Sequence, residues 1–436
     1  MGAMSLKFGT DGVRAEALTV LTTQYVSALG SAAAQVLGGG EWLVGRDTRE
    51  SGPVLEAAVA AGLAAAGARP VSVGVVPTPA LAWLSAQRGV PAAMITASHN
   101  PWQDNGVKFF APGGVKLSDS VERAIESLLE PDGAAPHAVV PSHSAGLAEY
   151  VDHIVSLGGP LAGLRVVLDC ANGAMSVAAP AVFRALGADV VVMHDAPNGR
   201  NINDHCGATH VHSLAAAVVA EGAAIGLAFD GDGDRVIAID ELGNAVDGDR
   251  LIALAALQLR DEGRLHADTV VVTVMSNLGF HRAMAAAEIN VLTTAVGDRY
   301  VLEALDAHGH SVGGEQSGHI IYRDLATTGD GLLAGMRLAQ FVHDGGHSLV
   351  ALASGVMTSY PQVLVNVRVR DRHPNAADEM AAAISAAESA LGGDGRILIR
   401  ASGTEPLIRV MVEASTESIA QSIARDLAAE VTARWA

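Results

Sequence analysis

At 436 residues the chain is too long for one ordinary domain, and two to four are expected. Half of its residues are hydrophobic and 17% are charged, which excludes a disordered chain and calls for large buried cores. A formal net charge of −19 excludes a general affinity for nucleic acid or anionic membrane, so an anionic substrate needs local clusters of Arg and Lys.

Apolar runs of strand type alternate with alanine-rich helical stretches along most of the chain. Trp42-Leu43-Val44 predicts a strand, then a polar turn and a helix from Val54 to Gly67. Ala92 to Ile95 is a second apolar run. Arg165 to Asp169 predicts a strand, with a turn at Asn172-Gly173 and a helix from about Val177 to Leu186. Ile225 to Phe229 and Val236 to Ile239 read as strands flanking an acidic loop. Val270 to Val274 starts a further strand–loop–helix unit through Ser276-Asn277-Leu278-Gly279. This order implies parallel α/β layers and up to three similar domains. The end differs: strand Val363–Val369, a helix over Ala376–Leu391, strands Arg396–Arg400 and Leu407–Val412, and a last helix from Ile419. That is a smaller α+β unit. The Pro/Gly/His-rich stretch 131–147 and the regions near 250 and 358 set boundaries, giving domains 1–150, 151–250, 251–360 and 361–436.

Six segments carry chemistry. Thr96-Ala97-Ser98-His99-Asn100-Pro101 follows a strand end, where α/β folds display reactive groups. It reads either as a polar turn or as a loop presenting Ser98 as nucleophile or phosphoryl carrier, with His99 and Lys108 as helpers. The G-x-S-x-G frame of a hydrolase elbow is absent. In Phe229-Asp230-Gly231-Asp232-Gly233-Asp234-Arg235, three carboxylates at alternate positions can turn toward one cation, and hard oxygens suit Mg²⁺ or Ca²⁺. An EF-hand is the sharper rival, since Glu241 falls at its twelfth position. Its sixth position demands glycine where this chain has Arg235, and the flanks read as strands rather than helices.

Arg400-Ala401-Ser402-Gly403-Thr404-Glu405-Pro406, with Arg409 beyond, offers flexible backbone donors, two hydroxyls and two guanidinium forks. It is a phosphate loop or an ordinary hairpin turn. Gly313-Gly314-Glu315-Gln316-Ser317-Gly318-His319 is a turn or a sugar-hydroxyl loop. In an extended conformation Glu315 and Ser317 face the same side. Phe8–Arg14 (FGTDGVR) and Gly45–Gly52 (GRDTRESG) place Arg14 and Arg49 where they face a phosphate or form loop salt bridges, with Asp47 positioning an arginine.

In this order the motifs resemble the α-D-phosphohexomutase superfamily, from Phe8 to Arg409. FGTDGVR, TASHNPWQDNGVKFF, NGRNINDHCGATH, GGEQSGHI and TTGDG look most like its bacterial phosphoglucosamine mutases. Ala15 stands where the family often has glycine. The resemblance implies three related α/β domains with mixed sheets and a smaller C-terminal α+β domain around a central cleft. They would carry, in order, the phosphoserine, metal, sugar and phosphate loops. It implies Mg²⁺ and a sugar 1,6-bisphosphate as activator and intermediate. The reaction would interconvert glucosamine 6-phosphate and glucosamine 1-phosphate, feeding UDP-N-acetylglucosamine. Ser98 would be phosphorylated and would complete a metal site of Asp230, Asp232 and Asp234. Glu315 and Ser317 would contact sugar hydroxyls. Arg400, Ser402, Gly403, Thr404 and Arg409 would hold the non-reacting phosphate. Arg235 would orient the phosphoserine, His99 and Lys108 would move protons, and Arg14 would stabilise transition-state charge.

Rival readings are a phosphomannomutase or phosphoglucomutase of the same superfamily, a non-catalytic sugar-phosphate sensor, and a Mg²⁺-dependent phosphatase. The sensor has no need of Ser98, and the phosphatase needs a free aspartate. Two cysteines, Cys170 and Cys206, make no disulfide framework and point to a reducing compartment. The N-terminus lacks an apolar signal segment. The weakly charged stretch Ala57–Ala86 is broken by Arg69 and three prolines. A cytoplasmic protein with no membrane or nucleic-acid partner, and a possible homodimer, is expected.

Overall fold

The computed structural model describes residues 6–9, 11–129, 142, 145–402 and 406–436. The chain forms two compact units, Met1–Met275 with Ile289–Ser354, and Ser276–Glu288 with Gly355–Ala436.

The first unit holds three mixed sheets. The first comprises β1 (Val13–Glu16), β2 (Gly40–Arg46), β3 (Ala68–Val75), β4 (Ala92–Ile95), β5 (Asp104–Ala111) and β6 (Val115–Lys116), in the order β1-β5-β4-β2-β3 with β6 on β5. β2 runs parallel to β3 and β4, whereas β5 is antiparallel to β4 and β1. The second comprises β7 (Arg165–Asp169), β8 (Asp189–Met193), β9 (Ile225–Phe229), β10 (Val236–Asp240) and β11 (Ala245–Val246), ordered β11-β10-β9-β7-β8. The third comprises β12 (Thr269–Thr273), β13 (Asn290–Thr294), β14 (Val312–Gly314) and β15 (Ile320–Tyr322), ordered β13-β12-β14-β15. The second joins three parallel strands to the antiparallel pair β10 and β11, and the third joins three parallel strands to an antiparallel edge, β15.

Central strands such as β4, β9 and β12 are buried along their whole length, as parallel strands covered on both faces must be. Scarce aromatics leave small residues to build the core, and helices approach closely. At Gly62 of the helix Gly52–Ala65, a Cβ would fall 1.8 Å from the Ser27 carbonyl oxygen of the helix Thr23–Leu37. Glycine is what permits that contact. Trp42 and Phe109 pack edge-to-face at 6.0 Å in the same core.

The second unit contains the antiparallel sheet β16-β18-β17, from β16 (Gln362–Arg368), β17 (Gly395–Ala401) and β18 (Leu407–Ala414). The expected helix over Ala376–Leu391 is two pieces, Ala376–Glu379 and Ala381–Leu391, hinged at buried Met380 with φ −102° and ψ 9°. The last helix, Glu417–Trp435, starts two residues before Ile419, because the Thr416 side chain caps it by accepting from Ile419 N. Among the described residues no helix is long and apolar enough to cross a membrane.

Candidate active site

Ser98 sits just beyond β4 with φ 53°, a left-handed conformation costing a non-glycine residue about 1–2 kcal/mol. Its surroundings hold it there. Ser98 N donates to Thr96 Oγ1 at 2.9 Å, and Thr96 Oγ1 donates to Asp47 Oδ2 at 2.7 Å. The fully buried Arg49 guanidinium donates to the carbonyls of Ser98 (2.9 Å), Asn100 (2.8 Å), Asp104 (3.0 Å) and Pro101, and its Nε pairs with Asp47 at 2.9 Å. Asn203 adds donors to Ser98 O and Asn100 O. Arg49 is thus committed to loop carbonyls rather than to a phosphate, and Asp47 positions it.

The acidic loop joins β9 to β10, so strands flank it and helices do not, against an EF-hand. Asp230, Asp232 and Asp234 are all at most 3% exposed, and one oxygen from each lies within 4.8 Å of the others. Ser98 Oγ donates to Asp230 Oδ2 at 2.6 Å. Gly231 makes this approach possible: a Cβ there would stand 2.6 Å from Ser98 O. Thr78 Oγ1 donates to Asp232 Oδ2 at 2.6 Å, leaving Asp232 Oδ1 buried without a hydrogen bond among the described residues. Burial, then Asp234 and Asp232, push the Asp230 carboxyl well above the usual range. A buried oxygen-only triad with an unsatisfied acceptor fits a hard divalent cation.

Lys108 Nζ lies 2.8 Å from Asp11 and Asp232 and 3.3 Å from Asp234. Burial opposes its charge, but these carboxylates outweigh it and hold the ammonium well above its ordinary pKa. Asp11 also binds Arg14 at 2.8 Å and Lys116 at 3.0 Å. Lys116 pairs with Asp298, Asp298 lies 3.5 Å from His319 Nε2, and His319 Nδ1 is 3.7 Å from Asp234. These side chains therefore close a ring: Asp11, Lys108, Asp234, His319, Asp298, Lys116. Arg235 N donates to Asp230 Oδ1 at 3.2 Å, while its Nε lies 3.8 Å from Asp234. His99 Nδ1 is 3.4 Å from Ser98 Oγ. Burial, then Arg235 and Arg14, push its imidazole down to about 4, so it is neutral at pH 7.

Ser98, His99, Arg14, Lys108, Asp230, Asp232, Asp234 and Arg235 are thus assembled together. The Glu315–Ser317 segment is not extended: Gly318 N donates to Glu315 O at 3.0 Å, making a turn between β14 and β15. The same-side argument for the pair therefore fails. Glu315 Oε1 accepts from Gly297 N at 3.1 Å, and Ser317 is exposed. In the second unit Arg400 and Arg409 are directly opposed across β17 and β18. Ser402 N donates to Leu407 O at 2.7 Å. Gly403 and Thr404 lie outside the described residues.

Sequence reasoning missed Asp11, Lys116, Asp298, His319 and Thr78. Asp11 and His319 stand inside motifs already recognised as such. Lys116, Asp298 and Thr78 had no local signal.

Four domain families of phosphoglucomutase/phosphomannomutase match the chain in order. Alpha/beta/alpha domains I, II and III match residues 5–134, 148–243 and 247–360, and the C-terminal domain matches 364–430. A phosphoglucosamine mutase of Frankia alni is 50% identical over a 450-residue alignment, covering 99% of each chain. The chain belongs to the phosphoglucosamine mutase family. As a member it is an enzyme of the isomerase class. The mutase also shares its fold with solved structures. A phosphoglucomutase/phosphomannomutase family protein of Burkholderia thailandensis is 24% identical, with a TM-score of 0.80 and 97% of each chain covered. An Aspergillus fumigatus N-acetylphosphoglucosamine mutase, solved with GlcNAc-6P and magnesium, is 19% identical, with a TM-score of 0.70, covering 99% of this chain and 96% of that one. The expected mixed α/β domains and smaller C-terminal domain are those of the family.

Proposed function

We propose that this mutase interconverts glucosamine 6-phosphate and glucosamine 1-phosphate, with Ser98 carrying the phosphoryl group and a sugar 1,6-bisphosphate as intermediate. The observation that carries the assignment of Ser98 is its 2.6 Å hydrogen bond to Asp230, inside a buried cluster of carboxylates and cations.

In the forward half, the bond from phosphorus to Ser98 Oγ breaks and one to the free sugar hydroxyl forms. The hydroxyl proton leaves, and Ser98 Oγ gains one. The bisphosphate turns over and returns its other phosphate by the reverse path. His99 would take and return a proton, a reading supported by its neutral ring beside Oγ. Lys108 is surrounded by three carboxylates, which supports a role as a fixed positive charge rather than a proton acceptor. Asp230, Asp232 and Asp234 would hold Mg²⁺ with a phosphoserine oxygen. The chemistry Mg²⁺ supplies there when bound is neutralisation of the transferring phosphoryl oxygens. Arg14 and Arg235 add positive charge, and Asp11 orients Arg14. Glu315 and Ser317 would contact the sugar. Arg400, Ser402, Gly403, Thr404 and Arg409 would hold the phosphate that is not transferred. We place domain limits at 1–150, 151–250, 251–360 and 361–436, and the mutase in the cytoplasm as a homodimer.

The test is turnover of glucosamine, glucose and mannose 6-phosphates with Mg²⁺ and a trace of sugar 1,6-bisphosphate, with Ser98→Ala and a chelator-treated sample as controls. Fastest turnover of glucosamine 6-phosphate, lost in both controls and restored by Mg²⁺ only in the second, is expected. Preference for glucose or mannose phosphate overturns the substrate assignment. An active Ser98→Ala protein overturns the carrier.

A further inference from the structure

A second cluster of ligand-type side chains lies behind the Ser98 loop. Asp169 ends β7, His194 follows β8, and Cys206 lies in the loop after β8. One ligand atom from each falls within 4.8 Å of the others. We propose that Asp169, His194 and Cys206 form a metal site separate from the Asp230 loop, taking a divalent cation of the zinc class.

The donor set decides the class. One carboxylate, one imidazole and one thiolate are the borderline mixture that suits Zn²⁺ rather than Mg²⁺. Asp169 Oδ1 and His194 Nδ1 stand 3.0 Å apart, yet that buried nitrogen makes no hydrogen bond among the described residues. Bonds of 2.0–2.1 Å to a tetrahedral Zn²⁺ place neighbouring N and O ligands about 3.3 Å apart, so a small shift accommodates the ion. Asp169 is already oriented, its two oxygens accepting from Ala171 N at 2.9 Å and Gly207 N at 3.0 Å. Each oxygen keeps a lone pair. Asn172 Nδ2, 3.9 Å away, is a weak partner for Cys206 Sγ. Asp204 adds negative potential at the thiol. The His194 side chain is 30% exposed, which leaves an entry path and room for water as fourth ligand.

Without metal, burial followed by Asp169 and Asp204 pushes the Cys206 thiol up to about 12, so it is no free nucleophile. Binding a cation displaces that proton to solvent. The site is joined to the phosphoryl loop through its backbone. Asn203 N donates to Ala171 O, while Asn203 Nδ2 donates to Ser98 O, and Thr48 Oγ1 donates to Asn172 O at 2.6 Å. A bound ion would fasten the 194–207 segment on which Ser98 leans.

The experiment titrates Co²⁺ as probe into chelator-stripped full-length protein in excess Mg²⁺, reading the thiolate-to-cobalt charge-transfer band. One Co²⁺ per chain, displaced by Zn²⁺, is expected. His194→Gln and Cys206→Ser should lose the band, while Cys170→Ser and Asp232→Asn keep it. His194→Gln alters a partly exposed ring, so it gives a folded test if Cys206→Ser does not. Absence of the band in the unaltered protein, or its survival in folded His194→Gln, overturns the proposal and leaves Asp169 as a carboxylate cap on two loops.

Discussion

Gly231 packs against the backbone of Ser98 so closely that a Cβ at 231 would meet the Ser98 carbonyl oxygen at 2.6 Å, with Asn203 Nδ2 and Ile202 Cδ1 each at 2.8 Å. Ser98 O and Asn203 Nδ2 are hydrogen-bonded to each other, and Ser98 O also to Arg49, so neither can retreat without loosening the loop that displays Ser98. Gly231→Ala should therefore fold with a loss of about 1–3 kcal/mol, typical of overpacking. It should turn over far more slowly, because displacement of a reacting group by even ~1 Å costs about 100-fold. Thermal melting and phosphoglucosamine turnover measured together check this. An unchanged rate would mean that the Ser98–Asp230 contact tolerates a wider gap.

Arg49 gives a different prediction. It is one of the largest fully buried side chains, and its fork serves four carbonyls and Asp47 at once. Lysine keeps the charge but has three donors at a point. Arg49→Lys should cost about 1–3 kcal/mol for each buried carbonyl that it leaves without a donor. The loss should appear as a lower melting temperature and a lower kcat. A loss of substrate affinity alone would instead place Arg49 at a phosphate.

This residue shows where sequence reading stops. The acidic triad was legible because its three carboxylates stand within five residues, and chain proximity alone brings them together. Arg49 was recognised as cationic, but its task is set by the backbone conformation of residues 98–104, which no local pattern reveals. Asp11 reaches Lys108 only because β1 pairs with β5, placing Val13 opposite Val107. Lys116 and Asp298 are 182 residues apart and carry no motif. Strand–loop–helix order was readable from hydrophobic periodicity. At Glu315–Gly318 the choice between a turn and an extended segment stayed open, since glycines fit both backbones alike, and the structure makes it a turn.

Lys108 balances Asp11, Asp232 and Asp234 simultaneously. Lys108→Met leaves all three carboxylates short of a cation, so the charge facing a dianionic substrate becomes more negative. A fall in kcat of about 10²–10³, the size seen on removing one preorganised donor, is expected. If Lys108 acted as a proton acceptor, Lys108→Arg would be as impaired as Lys108→Met. If it acts as fixed charge, arginine should recover part of the rate.

The TTGDG segment titrates away from the Ser98 loop. Asp330 is buried, caps the helix Gly331–Gly345 through Leu333 N, and accepts both its side-chain bonds from Tyr150 Oη at 2.8 and 2.9 Å. Burial raises its carboxyl to about 6, against 3.8 for a free aspartate. The folded state therefore holds more protons than the unfolded state between those values. Stability falls as pH rises through that window, by about 3 kcal/mol at 1.36 kcal/mol per unit. Below it the neutral acid costs nothing, and above it the full penalty persists. Asparagine keeps the capping oxygen and the acceptor for Tyr150 without the charge. Asp330→Asn should match the parent near pH 4 and exceed it in unfolding midpoint at pH 7 and above. Equal midpoints across pH 4–8 would show that Asp330 carries no such penalty. A variant less stable at pH 7 would show that the charged carboxylate strengthens the Tyr150 and Leu333 bonds by more than its burial costs.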